Sequence, residues 1–154
     1  MFNFPTVAAE ANDRRNPDKF VVRNVAVSRT LLVTDDSMII RELIKETARE
    51  YGWTVVGEAV DGRDAIEKYR DLRPTGVTLD LVMPEFDGLH ALRGIKEFDP
   101  ASQVLVVSAI DQPDVLREAI KLGAADFVVK PFEPARLRRA LELLCGDSAC
   151  VVGT

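Results

Sequence analysis

The arrangement of apolar residues between positions 30 and 144 most strongly constrains the fold. Five short apolar runs predict strands, and each is followed by a longer segment with apolar residues at helical spacing. Such strict alternation requires a mostly parallel sheet with right-handed crossovers and helices on both faces. The sequence therefore predicts an α/β domain with strands at 30–34, 53–60, 77–80, 103–108 and 125–129 and helices at 38–51, 63–72, 89–98, 113–122 and 134–144.

The apolar positions inside the first and last predicted helices indicate which faces pack on the sheet. In the first helix the expected buried stripe comprises Ile39, Leu43, Thr47 and Ala48. In the last helix it comprises Leu137, Ala140, Leu141 and Leu144. The opposite side of the last helix is expected to show solvent a basic stripe made of Arg136, Arg138 and Arg139.

Composition excludes several classes of protein. A chain of 154 residues with 47% hydrophobic content can form one domain of ordinary size with a substantial core. The net charge of −5 argues against a nucleic-acid-binding module, which normally has a basic surface. No apolar run reaches the roughly 18 residues of a membrane span, and the N-terminus lacks the features of a signal peptide. We therefore expect a cytoplasmic protein without membrane insertion.

The two ends of the chain differ from the alternating region. Residues 1–28 include a charged, turn-rich stretch at 11–19 and are predicted to form a flexible arm. Its apolar patches at 20–22 and 25–27 could instead pack on the domain or meet a partner. The domain itself is expected at 29–145, and residues 146–154 form a tail too short for an output domain.

Polar side chains end four of the predicted strands. Asp35 and Asp36 end the first strand, Asp80 the third, Ser108 the fourth and Lys130 the fifth. Any one of them alone is most simply a cap, a turn residue or a solvated group. The carboxyl ends of parallel strands meet at one edge of the sheet, so together they predict a site. Three carboxylates at one edge call for a cation, and all-oxygen ligands favour Mg²⁺.

With these features the chain resembles the receiver domains of two-component response regulators, the family of the stand-alone chemotaxis regulators. The resemblance covers residues 29–145. It implies a flavodoxin-like (βα)5 fold with strand order 2-1-3-4-5. The matching features are Asp35-Asp36, Asp80 with the Met83-Pro84 and Asp87-Gly88 loop, Ser108-Ala109, and Lys130-Pro131-Phe132.

The resemblance also implies a role for each site residue. It further implies that the Lys130–Pro131 peptide is cis. By resemblance, Asp80 is the phosphoacceptor, Asp35 and Asp36 hold Mg²⁺ with Asp80 and the backbone carbonyl of Val82, Lys130 contacts the phosphoryl group, Ser108 is the switch hydroxyl and Phe127 is the switch aromatic.

The predicted function is a signalling switch that accepts a phosphoryl group from a histidine kinase or phosphotransfer protein. We expect output by contact with a protein through the fourth helix, the fifth strand and the last helix. The chain is expected to catalyse only its own phosphorylation and dephosphorylation, so it is not classed as an enzyme.

Three alternatives remain open at this point. The chain could be part of a larger hybrid or regulator, or an adaptor that binds its partner irrespective of phosphorylation. A third reading, an aspartyl-phosphate phosphatase, is disfavoured by Val82, because phosphatases of the haloacid dehalogenase type carry a second catalytic aspartate at that position.

Overall fold

The computed structural model describes residues 29–83 and 88–144. All ten predicted elements are present, and no boundary differs from the predicted one by more than one residue. The predictions for the arm 1–28 and the tail 146–154 lie outside the described residues. The strands are β1 (Thr30–Thr34), β2 (Thr54–Ala59), β3 (Gly76–Leu79), β4 (Val104–Ser108) and β5 (Asp126–Val129). The helices are α1 (Met38–Glu50), α2 (Gly62–Leu72), α3 (Gly88–Phe98), α4 (Pro113–Lys121) and α5 (Pro134–Leu144).

The five strands form one sheet in the order β2-β1-β3-β4-β5. All four neighbouring pairs are parallel, so the order implied by the resemblance is confirmed. The chain places β2 on one side of β1, and then places β3, β4 and β5 one after another on the other side. In sheets of this kind a crevice opens where the winding reverses, at the carboxyl ends of the strands on either side. Here those strands are β1 and β3.

The sheet separates two apolar layers. Alternate side chains of a strand point to opposite faces, so Leu32 joins one layer while Leu31 and Val33 join the other. Helices α2, α3 and α4 cover the first face, and α1 and α5 cover the second. Within the described ranges, no helix has both the length and the apolar character needed to cross a membrane.

The predicted buried stripe of helix α1 is correct for Thr47 and Ala48 but not for its other two members. Ile39 is 75% exposed and Leu43 is 38% exposed, so the prediction that they are buried is wrong. The helix carries two adjacent apolar pairs, 39–40 and 43–44, and either member of each pair gives helical spacing. Ile40 and Ile44, the second members, pack on the sheet, together with Ala48. The apolar pattern could not fix the rotation of the helix.

The predicted basic stripe on α5 is correct only in part. Arg139 is exposed, but Arg136 is half-buried and donates hydrogen bonds to the Phe127 carbonyl at 2.8 Å and to Asp126 at 3.4 Å. Arg138 lies over the Tyr51 ring, 5.3 Å from its centroid. Two of the three arginines therefore contact neighbours of their own, and the three do not form one solvated stripe.

A carboxylate on β2 ties that strand to α1. Glu58 Oε1 lies 2.8 Å from Arg41 Nε, and Oε2 lies 2.7 Å from Lys45 Nζ. The hydrogen bonds from Lys45 and Arg41 hold the pKa of Glu58 below its ordinary value. The lowered pKa means that the folded chain favours the ionised carboxylate.

Glu58 is therefore expected to stabilise the fold only while it is ionised. Its contribution is present above the pKa of the unfolded state, about 4.3, and is lost as the pH falls below it. In Glu58→Gln the free energy of unfolding should be lower than in wild type at pH 7, and the difference should shrink as the pH falls from about 4.3 through the lowered pKa of the folded state. Denaturant unfolding at several pH values measures this, and a difference that stays constant with pH would contradict it.

Candidate functional site

The carboxyl ends of β1 and β3 bring three carboxylates together. Asp35 and Asp36 follow β1, Asp80 follows β3, and one oxygen from each lies within 4.8 Å of the others. Backbone hydrogen bonds continue just past the strands, from Asp35 N to Ala59 O at 3.0 Å and from Asp80 N to Thr34 O at 3.1 Å. The sheet ladder thus fixes the backbone from which two of the acids project.

Asp35 is buried and held on both of its carboxylate oxygens. Oδ1 accepts a hydrogen bond from Ser37 N at 2.9 Å, and Oδ2 lies 2.6 Å from Lys130 Nζ. Burial raises the pKa of Asp35, and the neighbouring Asp80 charge adds to this, while Lys130 and the Ser37 amide oppose it. An ionised Asp35 at this position therefore depends on nearby positive charge.

Lys130 reaches the cluster from the end of β5. Its Nζ lies 3.2 Å from Asp80 Oδ2, so one ammonium contacts both buried acids. The other oxygen of Asp80 accepts a hydrogen bond from Val82 N at 3.1 Å. The Lys130–Pro131 peptide is cis, as the resemblance implied. Lys130 therefore meets the acids at this edge of the sheet, as the positions of the strand ends predicted, and its contact with a phosphoryl group stays a prediction.

Asp36 differs from its two neighbours because it is exposed. Within residues 29–83 and 88–144, its carboxylate has no hydrogen bond or ion pair, and Lys130 is the one cation that pairs with the cluster. Three carboxylates against one ammonium leave an excess of negative charge. The donors are all hard oxygen atoms, so the residues present fit Mg²⁺. The role predicted for the Val82 carbonyl stays a prediction.

Ser108 and Phe127 lie on the two strands beyond the acids. Ser108 is buried at the end of β4, its Oγ accepts a hydrogen bond from Ile110 N at 3.4 Å, and its carbonyl accepts one from Lys130 N at 2.9 Å. Phe127 is half-buried and packs against the core layer under α4. The backbone therefore links Ser108 directly to Lys130, three residues after Phe127. Their switch roles stay predictions.

Gly88 lies at the site, although the sequence indicated it only as part of the Asp87-Gly88 loop that matches the family. A Cβ at this position would lie 2.2 Å from the Asp80 carbonyl oxygen and 2.4 Å from Leu81 Cα. Its amide also donates to the Leu81 carbonyl at 3.2 Å. The first turn of α3 thus rests against the backbone of Asp80. Nothing in that loop's sequence indicates the close approach of α3 to Asp80.

Arg41 was not singled out by the sequence analysis at all. Its Nη1 donates a hydrogen bond to the Asp35 carbonyl at 2.8 Å, and its Nε binds Glu58. An arginine on an amphipathic helix has no sequence signal that separates it from a solvated one. Only the tertiary structure brings it to the acidic cluster.

Comparisons with known proteins agree with this geometry. A family model described as the response regulator receiver domain matches residues 31–142. The chain belongs to this family. Receiver domains are signalling switches, generally not classed as enzymes, and they bind Mg²⁺ in an acidic pocket, for which Asp35, Asp36 and Asp80 are the matching cluster.

The receiver domain is similar to chemotaxis regulators along most of their length. It is 43% identical over 115 residues to the chemotaxis protein CheY of Thermotoga maritima, a match that covers 75% of this chain and 96% of that protein. It is 46% identical over 112 residues to CheY of Listeria monocytogenes, with 73% and 94% covered.

The fold of the receiver domain is similar to that of solved receivers. CheY of Borrelia burgdorferi, in a crystal structure with CheX, BeF3 and Mg, gives a TM-score of 0.76 at 27% identity, with 79% of this chain and 92% of that chain covered.

Proposed function

We propose that this receiver is a phosphorylation-activated switch that accepts a phosphoryl group from a histidine kinase or phosphotransfer protein onto Asp80. The observation that carries the proposal is the position of Asp80. Its Oδ2 lies 3.2 Å from Lys130 Nζ, in a cluster with the carboxylates of Asp35 and Asp36. We further propose that the domain spans 29–145 and acts in the cytoplasm.

Asp80 is proposed as the nucleophile, because a buried carboxylate can attack phosphorus once the charges on both are masked. Asp35, Asp36, Asp80 and the Val82 carbonyl would hold Mg²⁺, which when bound masks negative charge and orients the phosphoryl group. Lys130 contributes a further compact positive charge. The chain acts only on its own aspartate, so it is a switch and not an enzyme.

The test is intact-mass measurement after incubation with a small phosphodonor, with and without Mg²⁺. We expect one added phosphoryl group per chain, and only when Mg²⁺ is present. Labelling that is equal after removal of Mg²⁺ with a chelator would contradict the proposed role of the three carboxylates.

Phosphorylation is proposed to switch the domain through Ser108 and Lys130. A shift from 1:99 to 99:1 requires about 5.5 kcal/mol of differential interaction. A charge-assisted bond from Ser108 supplies roughly 1.5–3 kcal/mol. Stronger attraction to Lys130, a few kcal/mol at an effective dielectric constant near 20, supplies most of the remainder.

The surface of α4, β5 and α5 is proposed to carry the output. Two grooves flank β5 and share Phe127 in their lining, one beside α4 and one beside α5. The groove beside α4 is lined by apolar Leu116 and Ile120, by basic Lys121 and by Arg117, which pairs with Asp114 at 2.6 Å. An apolar partner segment with acidic flanks fits this surface.

Ser108→Ala is expected to separate phosphorylation from switching. The variant should still gain phosphoryl mass, because Asp80 and Lys130 are unchanged. The phosphorylation-dependent changes in the amide chemical shifts of α4, β5 and α5 should fall strongly, since the lost bond of roughly 1.5–3 kcal/mol corresponds to about 10- to 150-fold in the switching equilibrium. If the phosphorylated variant shows the same chemical-shift changes as the phosphorylated wild type, Ser108 is not required for switching.

The phosphodonor protein is proposed to dock on the exposed apolar residues of α1. Met38 is 65% exposed and Ile39 is 75% exposed, and both follow Asp36 within three residues. Leu43 adds a third partly exposed apolar group one turn further on. Exposed apolar groups beside a reactive site are typical of a protein contact.

The phosphorylated form is expected to be long-lived compared with fast-cycling chemotaxis regulators. In the family, the residues two past the phosphoacceptor and two past the switch hydroxyl flank the phosphoryl group, and here both are apolar, Val82 and Ile110. Neither can hydrogen-bond or orient an attacking water, so hydrolysis lacks the positioning that makes it fast.

Val82→Asn should therefore accelerate phosphoryl decay by about tenfold, measured after the donor is removed. Val82 is 53% exposed, whereas Ile110 packs on the core, so Val82 is the cleaner site to change. Val60→Asn is the matched control, because Val60 is 46% exposed at the end of β2. Equal decay in wild type and Val82→Asn would show that this position does not set the lifetime.

A further inference from the structure

We propose that Arg41 is a positioning residue for the Mg²⁺ site, an inference that rests on the proposed function. Its side chain is only 13% exposed, although arginine is normally a surface residue. Nη1 donates to the carbonyl of Asp35 at 2.8 Å, and Nε donates to Glu58 Oε1 at 2.8 Å. One guanidinium thus bridges the backbone of the acidic cluster on β1 to a side chain on β2.

The Asp35 carbonyl matters because it belongs to the peptide that joins Asp35 to Asp36. Asp35 is already fixed through its amide to Ala59 O and through its carboxylate to Ser37 N and Lys130 Nζ. Asp36 is exposed and has no such contacts in the described parts of the chain. Fixing the plane of the shared peptide is therefore how the fold can set the direction in which the Asp36 carboxylate projects.

Glu58 holds Arg41 in the orientation that this bridge needs. Lys45 binds only the other oxygen of Glu58, at 2.7 Å, and also pairs with Glu42 at 2.6 Å, so it lies outside the bridge from Arg41 to Asp35. Arginine presents its donors in a rigid planar fork, so two fixed acceptors determine the position of the whole group. A lysine at position 41 would keep the charge but offers only a single ammonium for both acceptors.

The direction in which Mg²⁺ affinity changes when Arg41 is replaced distinguishes a positioning role from a purely electrostatic one. Loss of a positive charge near the acids would by itself make Mg²⁺ bind more tightly, because the charge repels the cation. Loss of a group that orients a ligand makes the metal bind more weakly. The change is typically 10- to 100-fold for residues that hydrogen-bond to a ligand without contacting the metal. Positioning and charge alone therefore predict opposite changes when Arg41 is replaced by an uncharged residue.

The experiment measures the Mg²⁺ dissociation constant of the unphosphorylated chain from amide chemical shifts. We expect at least about tenfold weaker binding in both Arg41→Met and Arg41→Lys. Lys45→Met is the matched control, because it removes a positive charge from the same Glu58 without touching Asp35, and it should stay within about twofold of wild type. Fluorescence of Trp53, the only tryptophan and a buried one, reports that each variant is folded.

Unchanged or tighter binding in Arg41→Met would overturn the inference, and so would equal weakening in Lys45→Met, which would indicate a general loosening of α1. If Arg41→Met does not fold, Arg41→Lys is the deciding variant. An Mg²⁺ affinity equal to that of wild type in Arg41→Lys then overturns the inference. Failure of the wild-type chain to bind Mg²⁺ would instead overturn the proposed function, and the inference with it.

Discussion

Asp80→Asn is expected to gain no phosphoryl mass under conditions that label the wild-type chain completely. The amide has nearly the shape of the carboxylate but lacks its negative charge, so it is a very poor nucleophile toward phosphorus. Removal of one of three clustered negative charges also lowers their mutual repulsion. The variant should therefore be folded, and its thermal midpoint without Mg²⁺ should not fall far below that of wild type.

Asp36→Asn is the control for this experiment. It keeps the nucleophile and removes one charged oxygen from the exposed side of the cluster, so it should still be labelled, but only at higher Mg²⁺ concentration. Labelling of Asp80→Asn to the wild-type extent would show that another residue is the phosphoacceptor.

The sequence predicted the acidic cluster because the topology of the sheet brings these residues together. Once the strands are parallel and alternate with helices, Asp35 and Asp80 must lie at the same carboxyl edge, and the strand order implied by the resemblance makes β1 and β3 neighbours there, as the structure confirms. The same argument brings Lys130 to that edge, and the structure adds the distances of 2.6 and 3.2 Å to the two acids.

The rotation of α1 and the directions of the α5 arginines could not be obtained in this way. Ile39 and Ile40 are equally apolar neighbours, so the helical period fits both, and packing of the sheet selects Ile40. Arg138 contacts Tyr51, which is far away in the sequence, and no local pattern records such a pair. Contacts of this kind depend on tertiary structure, as does the bridge from Arg41 to Asp35.

At Gly88 the local sequence pattern did not indicate that the tertiary structure requires a residue without a side chain. A glycine after aspartate is typical of a turn, and the sequence indicated Gly88 only as part of the Asp87-Gly88 loop that matches the family. The structure shows that the missing side chain is needed for α3 to approach Asp80 and Leu81.

Gly88→Ala is expected to impair both stability and phosphorylation. The added Cβ would lie 2.2 Å from the Asp80 carbonyl oxygen, 2.4 Å from Leu81 Cα and 2.9 Å from the Asp80 carbonyl carbon. All three are backbone atoms, which cannot rotate away, so α3 or the Asp80 peptide must shift. Overpacking of this kind costs about 1–3 kcal/mol of unfolding free energy. A shift of Asp80 by about 1 Å can slow its phosphorylation by about 100-fold.

Gly94→Ala is the matched control for Gly88→Ala, because both glycines lie in α3. The Cβ at Gly94 would lie 2.6 Å from Ile66 Cδ1, the end of a flexible side chain that can change rotamer. Alanine also favours the helix by about 1 kcal/mol over glycine, so this variant should stay close to wild type in stability and rate. Denaturant unfolding and the initial rate of phosphoryl incorporation measure both quantities. If Gly88→Ala matches Gly94→Ala in both, then close approach of α3 to the Asp80 backbone is not required for the reaction.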